Sequence, residues 1–197
     1  MKILPIRTKS KNYNIYIGQN IISKINKIVI NENIKFKKTL IVVDKKIPKN
    51  FLKKILSKIV CDKKIIFLFN ASEKNKNLKS ANAILELLLK NNFTRNDIVI
   101  CLGGGITGDV TGFVASIYKR GLKFINIPST LLSQVDSSIG GKTGVNNKYG
   151  KNLIGSFYQP DLVISDITLL KSLPRREIIC GYAEILKHSL IRNKKLF

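Results

Sequence analysis

Apolar positions along this chain fall into two alternating rhythms. Tyr13-Asn14-Ile15-Tyr16-Ile17-Gly18 alternates as a half-buried strand does, and Gln19 to Ile30 then places Ile21, Ile22, Ile25 and Ile28 at helical spacing. Thr39 to Asp44 is a β-branched run ending in a carboxylate, and Phe51 to Val60 returns to helical spacing. Lys64 to Phe69 predicts a further buried strand. Ser80 is placed to cap a helix whose apolar face is Ala81, Ile84, Leu85, Leu88 and Leu89. Asp97 to Leu102, Phe124 to Pro128 and Leu162 to Asp166 predict later strands, and a helix from Arg175 to Arg192 opens after Pro174. Strands alternating with helices predict an α/β fold with a parallel sheet. The sequence shows no internal repeat, linker or low-complexity tract.

Composition bounds this picture. The 197 residues are 44% apolar, enough for a sizeable core. No stretch reaches the roughly 18 to 20 uninterrupted apolar residues of a membrane span, and the first residues lack the apolar region of a signal peptide, so the cytoplasm is the expected compartment. Cys61, Cys101 and Cys180 are odd in number and set in apolar sequence, which predicts reduced, mostly buried thiols.

A formal charge of +23 raises nucleic-acid binding as a function. The charge is nearly all lysine, scattered among Asn and Ile, whereas arginine stands only at positions 7, 95, 120, 175, 176 and 192. No basic stripe interleaved with aromatics is present, so no specific nucleic-acid partner is expected, only weak and salt-sensitive polyanion binding.

Six stretches carry candidate chemistry. Gly103 to Gly105, with Gly108 and Gly112 beyond, sit at a strand-to-helix turn, where glycine brings backbone N–H groups close to a pyrophosphate at a helix N-terminus. A tight turn without a ligand would use the same glycines. Asp44 at its strand end, and the segment from Ser72 to Lys76, could meet ribose hydroxyls, and in isolation both read as surface charge. Ser129 and Thr130 follow another strand, where hydroxyls bind phosphate or carboxamide, or cap a helix. Val135 to Pro160 packs Asp136, Lys142, Lys151 and Asn152 among glycines, as an anion-handling site does. Finally, Glu184, Lys187 and His188 share one helical face at spacings of three and four, which suits either a surface ion pair or a shared metal.

The string from Val135 to Pro160 resembles, almost residue for residue, the central motif of the 3-dehydroquinate synthase family of sugar-phosphate cyclases. The resemblance implies a Rossmann-like NAD-binding domain over residues 1–173, followed by the start of an α-helical metal and substrate domain over 174–197. It assigns NAD contacts to Asp44, Glu73, Lys76, Gly104, Gly105, Gly108, Asp109, Ser129, Thr130, Lys142, Lys151, Leu169 and Ser172. Glu73 and Lys76 match the family's Glu-x-x-Lys, although Ser72 replaces the glycine that usually precedes it, and Thr107 stands where an aliphatic residue is usual.

Further roles follow from the same likeness. Asp136 and Lys187 contact substrate hydroxyls, and Lys142, Asn152 and Arg120 hold phosphate. The arginine matching Arg120 reaches into a neighbouring subunit, which implies a homodimer. Glu184 binds Zn2+ (or Co2+) with two histidines supplied by a C-terminal half, while the position of His188 is commonly aromatic and is not expected to be a ligand.

The family enzymes are nearly twice as long as this chain. The expectation is therefore a truncated synthase, alone or completed by a C-terminal fragment. It would convert 3-deoxy-D-arabino-heptulosonate 7-phosphate to 3-dehydroquinate and phosphate in the shikimate route to aromatic amino acids. The alternatives are a related sugar-phosphate cyclase and a non-catalytic NAD-binding remnant. An α/β domain cut from its helical partner should also expose an apolar face.

Overall fold

A computed structural model describes residues 1–192. Its main sheet has seven strands in the order β1-β2-β9-β6-β5-β3-β4. These are β1 Lys2–Arg7, β2 Asn12–Gly18, β3 Lys38–Asp44, β4 Lys63–Phe69, β5 Ile98–Gly103, β6 Lys123–Pro128 and β9 Leu162–Asp166. Only β1 runs antiparallel to its neighbour. The strands β5 and β9 are buried along their whole length, and β3 from Thr39 onward, because helices or packed turns cover both faces. That double burial is why they read as unbroken apolar runs.

Helices α1 (Ile25–Asn31) and α2 (Lys49–Lys58) cover one face, packing Ile25, Ile28 and Ile55 on Ile41, Ile100 and Ile125. Helices α3 (Leu78–Lys90) and α4 (Gly105–Ile117) cover the other, where Ile84, Leu88, Val110 and Val114 meet Leu40, Val42, Val99 and Phe124. Ile84 and Leu88 are fully buried and contribute about 1.5–3 kcal/mol each by leaving water. The adjacent strands β3 and β5 therefore lead into helices on opposite faces. A crevice opens between their C-terminal ends, the place where open α/β sheets bind ligands.

Several expectations need correction. Asn20 takes a left-handed conformation (φ 55°), so the first helical segment opens as a 3-10 turn, Ile21–Lys24, before α1. The cap of α3 is Asn77, whose side chain accepts a hydrogen bond from the Ser80 N–H at 2.9 Å; Ser80 lies inside the first turn. The edge strand β1 and an antiparallel hairpin, β7 Lys142–Asn147 with β8 Gly150–Phe157, were not anticipated. The predicted C-terminal helix is α5, Arg175–Arg192, and residues 193–197 of the expected second region lie outside the described residues. Ile179, Tyr182, Leu190 and Ile191 of α5 are exposed, as a face awaiting a partner domain would be. No described helix is long and apolar enough to cross a membrane.

The thiols are free, but only Cys101 is buried; Cys61 is half-buried and Cys180 exposed. Burial pushes the Cys101 thiol far above its usual pKa. With a thiol-reactive dye at mild alkaline pH, Cys180 should label within minutes, Cys61 more slowly, and Cys101 only after unfolding. Fast labelling of Cys101 in the folded chain would contradict this packing.

Candidate functional site

The glycine turn begins where β5 ends. Gly104 precedes α4 in an extended conformation, and a Cβ there would lie 3.0 Å from Thr130 Cγ2. A Cβ on Gly105 would lie 2.9 Å from Ser137 Oγ. The turn is thus pressed against the segment after β6, and Gly104 and Gly105 put no side chain of their own at the start of α4. Gly112 is needed for packing, since its Cβ would meet Thr143 Cγ2 at 2.5 Å. Gly108 is different: a Cβ would make ordinary contact with Asn126 at 3.6 Å, so packing on the sheet does not explain it.

The segment after β6 builds the other wall. Ser129 N–H donates to Gly103 O at 2.9 Å, joining the two strand ends. Thr130 Oγ1 accepts from Ser133 N–H at 3.1 Å, so its hydroxyl is engaged in a local cap. The hydroxyls of Ser137 and Ser138 are buried and have no partner among the described residues, and Ser137 abuts the glycine turn. Unpaired buried donors beside a helix N-terminus fit a phosphate-bearing group such as the pyrophosphate of NAD.

Along the remaining strand ends, Asp44 terminates β3, almost buried, and accepts from Lys46 N–H at 3.0 Å; burial raises its pKa. Leu169 packs its side chain in the core, so only its backbone is available to a ligand. Ser172 Oγ donates to Leu169 O at 3.0 Å and, with Asn20, Phe51, Lys54 and Thr168, lines a cavity of about 410 Å³.

The hairpin supplies the third wall of a cavity of about 640 Å³ lined by Asp109, Asp136, Ser137, Lys142, Thr143 and Asn152, among others. Gly155 and Gly144 face each other so closely that a Cβ on Gly155 would lie 2.2 Å from Thr143 O. Asn152 is held left-handed (φ 58°), with its N–H donating to Asn146 Oδ1 at 2.9 Å. Lys76, nearly buried, donates from Nζ to both Asp109 Oδ2 and Asn152 Oδ1. Burial raises the Asp109 pKa and Lys76 opposes that rise. Lys76 thus ties α4 to the hairpin.

Glu73 sits at the rim instead. It accepts from Asn146 Nδ2 at 2.9 Å, the first cause of its lowered pKa, and meets Lys151 Nζ at 3.6 Å. Lys151 is exposed and does not line the cavity.

α5 closes the site. A Cβ on Gly181 would lie 2.6 Å from Leu131 Cβ and from Leu132 N, so this glycine lets the helix dock on the segment that bears Asp136. Glu184 Oε1 then contacts Lys187 Nζ, and His188 Nε2 lies 3.1 Å away. Lys187, then His188, hold the Glu184 carboxyl below its usual pKa. Single ligand atoms of Asp136, Glu184 and His188 all fall within 4.8 Å of one another, a donor set that fits a divalent cation.

Arg120 lies elsewhere. With Lys119 (φ 46°) and Gly121 (φ 127°) it forms a run of positive-φ residues, and it lines a basic groove with Lys11, Arg95 and Lys123 beside the N-terminal ends of β5 and β6. It cannot serve the crevice of its own chain. Of the expected site residues, then, Asp109, Asp136, Lys142, Asn152, Lys76, Glu184 and Lys187 converge, whereas Arg120 does not. The convergence of His188 with Asp136 was not expected; the spacing of four from Glu184 was the signal available for it.

Residues 66–180 match the model of the 3-dehydroquinate synthase N-terminal family. The chain is 63% identical over 194 residues to the 3-dehydroquinate synthase of Pelagibacter ubique, covering 98% of this chain and 53% of that protein. It therefore spans about half the length of the curated relatives it matches. A solved 2-deoxy-scyllo-inosose synthase complexed with carbaglucose-6-phosphate, NAD+ and Co2+ superposes with a TM-score of 0.88 at 25% identity, over 96% of this chain and 52% of that one. The 2-epi-5-epi-valiolone synthase of Streptomyces hygroscopicus, with NAD+ and Zn2+ bound, gives 0.82 at 25% identity over the same shares.

Proposed function

The chain belongs to the 3-dehydroquinate synthase family, and from that membership we propose that it forms the NAD-binding half of an enzyme converting 3-deoxy-D-arabino-heptulosonate 7-phosphate to 3-dehydroquinate and phosphate. The observation that carries this proposal is the convergence of the glycine turn, the Lys142 and Asn152 hairpin and the Glu184 helix on one crevice. In this reading residues 1–173 bind NAD and residues from 174 begin the helical metal and substrate domain.

NAD, when bound, would accept and return a hydride, and a divalent cation would polarise substrate oxygens. The chain's own residues do the rest. N–H groups at the start of α4 and the Ser137 hydroxyl receive the pyrophosphate, while Asp44 and Glu73 meet the adenosine half. The ammonium of Lys142 and the amide of Asn152 hold the substrate phosphate at the hairpin. Asp136 and Lys187 orient ring hydroxyls, which places the reacting carbon against the nicotinamide. Arg120, on the far end of the sheet, would act in a neighbouring subunit, so a cytoplasmic homodimer is the expected assembly.

The test has two readouts. NAD titration of the purified chain should show saturable binding. Phosphate release from the heptulosonate, with Zn2+ present, should require the C-terminal half of the Pelagibacter relative and should fall at least about a thousandfold in Glu184→Gln. A chain that binds no NAD overturns the proposal. NAD binding without phosphate release in the completed enzyme would leave a binding remnant instead.

A further inference from the structure

We infer that Asp166 is a positioning residue for the cofactor crevice, fixing the walls around NAD without touching it. The inference rests on the NAD-binding reading above, which gives Leu169 and Ser172 to the cofactor. Asp166 ends β9 and is 1% exposed, and no ion pair of the described residues includes it. A carboxylate buried so deeply without a cation is costly unless hydrogen bonds satisfy it. Here N–H and O–H donors do so. Oδ1 accepts from the Thr168 N–H at 3.0 Å and the Thr168 hydroxyl at 2.6 Å, which caps the turn Ile167–Ser172. An ordinary cap would end there. Oδ1 also accepts from the Asn20 N–H at 2.9 Å, and Oδ2 accepts at 3.0 Å from the Ile22 N–H, 144 residues earlier in the chain.

Asp166 thereby joins the ends of several strands. Asn20, Thr168 and Ser172 line the cavity of about 410 Å³, so the shared carboxylate sets the spacing of two of its walls. The backbone carbonyl of Asp166 accepts from Gln134 Nε2 at 3.1 Å, and the same amide nitrogen donates to Pro128 O, the end of β6, at 3.1 Å. Gln134 stands just before Asp136 and Ser137, so the segment that abuts the glycine turn is tied to the same point. Only a carboxylate suits this set of donors. An asparagine of the same shape would bring its NH2 group against an N–H donor and leave that donor unpaired.

Asp97 supplies the control. It is 2% exposed and accepts from the Lys38 N–H at 2.9 Å, the Thr94 N–H at 2.7 Å and the Thr94 hydroxyl at 3.0 Å, but it precedes β5 at the far end of the sheet. NAD titration below the unfolding range should show affinity at least about tenfold weaker in Asp166→Asn and within about twofold of the parent in Asp97→Asn, although both variants lose stability. Gln134→Leu, which leaves the carboxylate in place, should weaken NAD binding at least about threefold and carries the test if Asp166→Asn does not fold. Hydrogen exchange of the ligand-free chain should quicken at residues 20–22 and 167–172 in Asp166→Asn, beyond any change in Asp97→Asn. Parental NAD affinity in folded Asp166→Asn and Gln134→Leu, or equal losses in Asp166→Asn and Asp97→Asn, would overturn the inference. A parent chain that binds no NAD would sink the proposed function, and exchange at the two turns would then decide for or against Asp166 as their anchor.

Discussion

Lys76→Met should lower the unfolding free energy by about 2–3 kcal/mol and weaken NAD binding at least about tenfold. Lys76 is 5% exposed, and its ammonium is shared between Asp109 and Asn152. Removing one partner of a buried pair costs about 3–5 kcal/mol because the other charge stays behind. Asp109 retains 24% side-chain exposure, so water offsets part of that cost. The sign of the pH dependence follows. Burial already raises the Asp109 pKa in the folded chain, and losing Lys76 raises it further. A carboxylate with a raised folded pKa destabilises at pH values above that pKa, and the penalty shrinks as pH falls through it. Urea unfolding at pH 7.5 and pH 5 should therefore show a larger loss at the higher pH. An equal loss at both would mean that Asp109 is not the group left uncompensated. Asp109→Asn in the Lys76→Met background should recover part of the stability.

Gly155→Ala should be at least as damaging. Its Cβ would lie 2.2 Å from Thr143 O and 2.9 Å from Gly144 Cα, both backbone atoms of the opposing strand. Backbone cannot rotate away as a side chain can, so β7 and β8 must separate or slip. A cost of about 2–4 kcal/mol is expected, together with loss of protection against hydrogen exchange in the hairpin. Lys142 and Asn152 would move with their strands, so NAD affinity should drop too. Gly108→Ala is the contrast, since space exists beside Asn126 and alanine is favoured over glycine inside a helix by about 1 kcal/mol. Equal stability losses in the two variants would refute the packing argument.

The sequence made some parts of this fold legible and hid others for identifiable reasons. The core strands β3, β5, β6 and β9 stood out because burial on both faces demands continuous apolar runs. β1 contains Pro5 and is exposed along most of its length, so its pattern carries little signal. The hairpin was hidden because Gly144 and Gly155 hold it by backbone proximity rather than by alternating apolar side chains. At the site, the glycine turn and the anion-binding run could be read as motifs. The link from Lys76 to Asp109 and Asn152 could not, since those partners are remote in sequence and meet only once α4 and the hairpin are packed.

The strand order also constrains how the chain can be made. β9 lies between β2 and β6, and Asn14 of β2 pairs with Leu162 of β9. During synthesis the N-terminal hairpin therefore emerges with one edge unpaired and keeps it until residues 162–166 are available to fill the gap. Such long-range closure slows folding and leaves an open strand edge in the nascent chain. Ribosome-bound chains ending before Leu162 should thus depend on chaperones far more than those extending past Asp166.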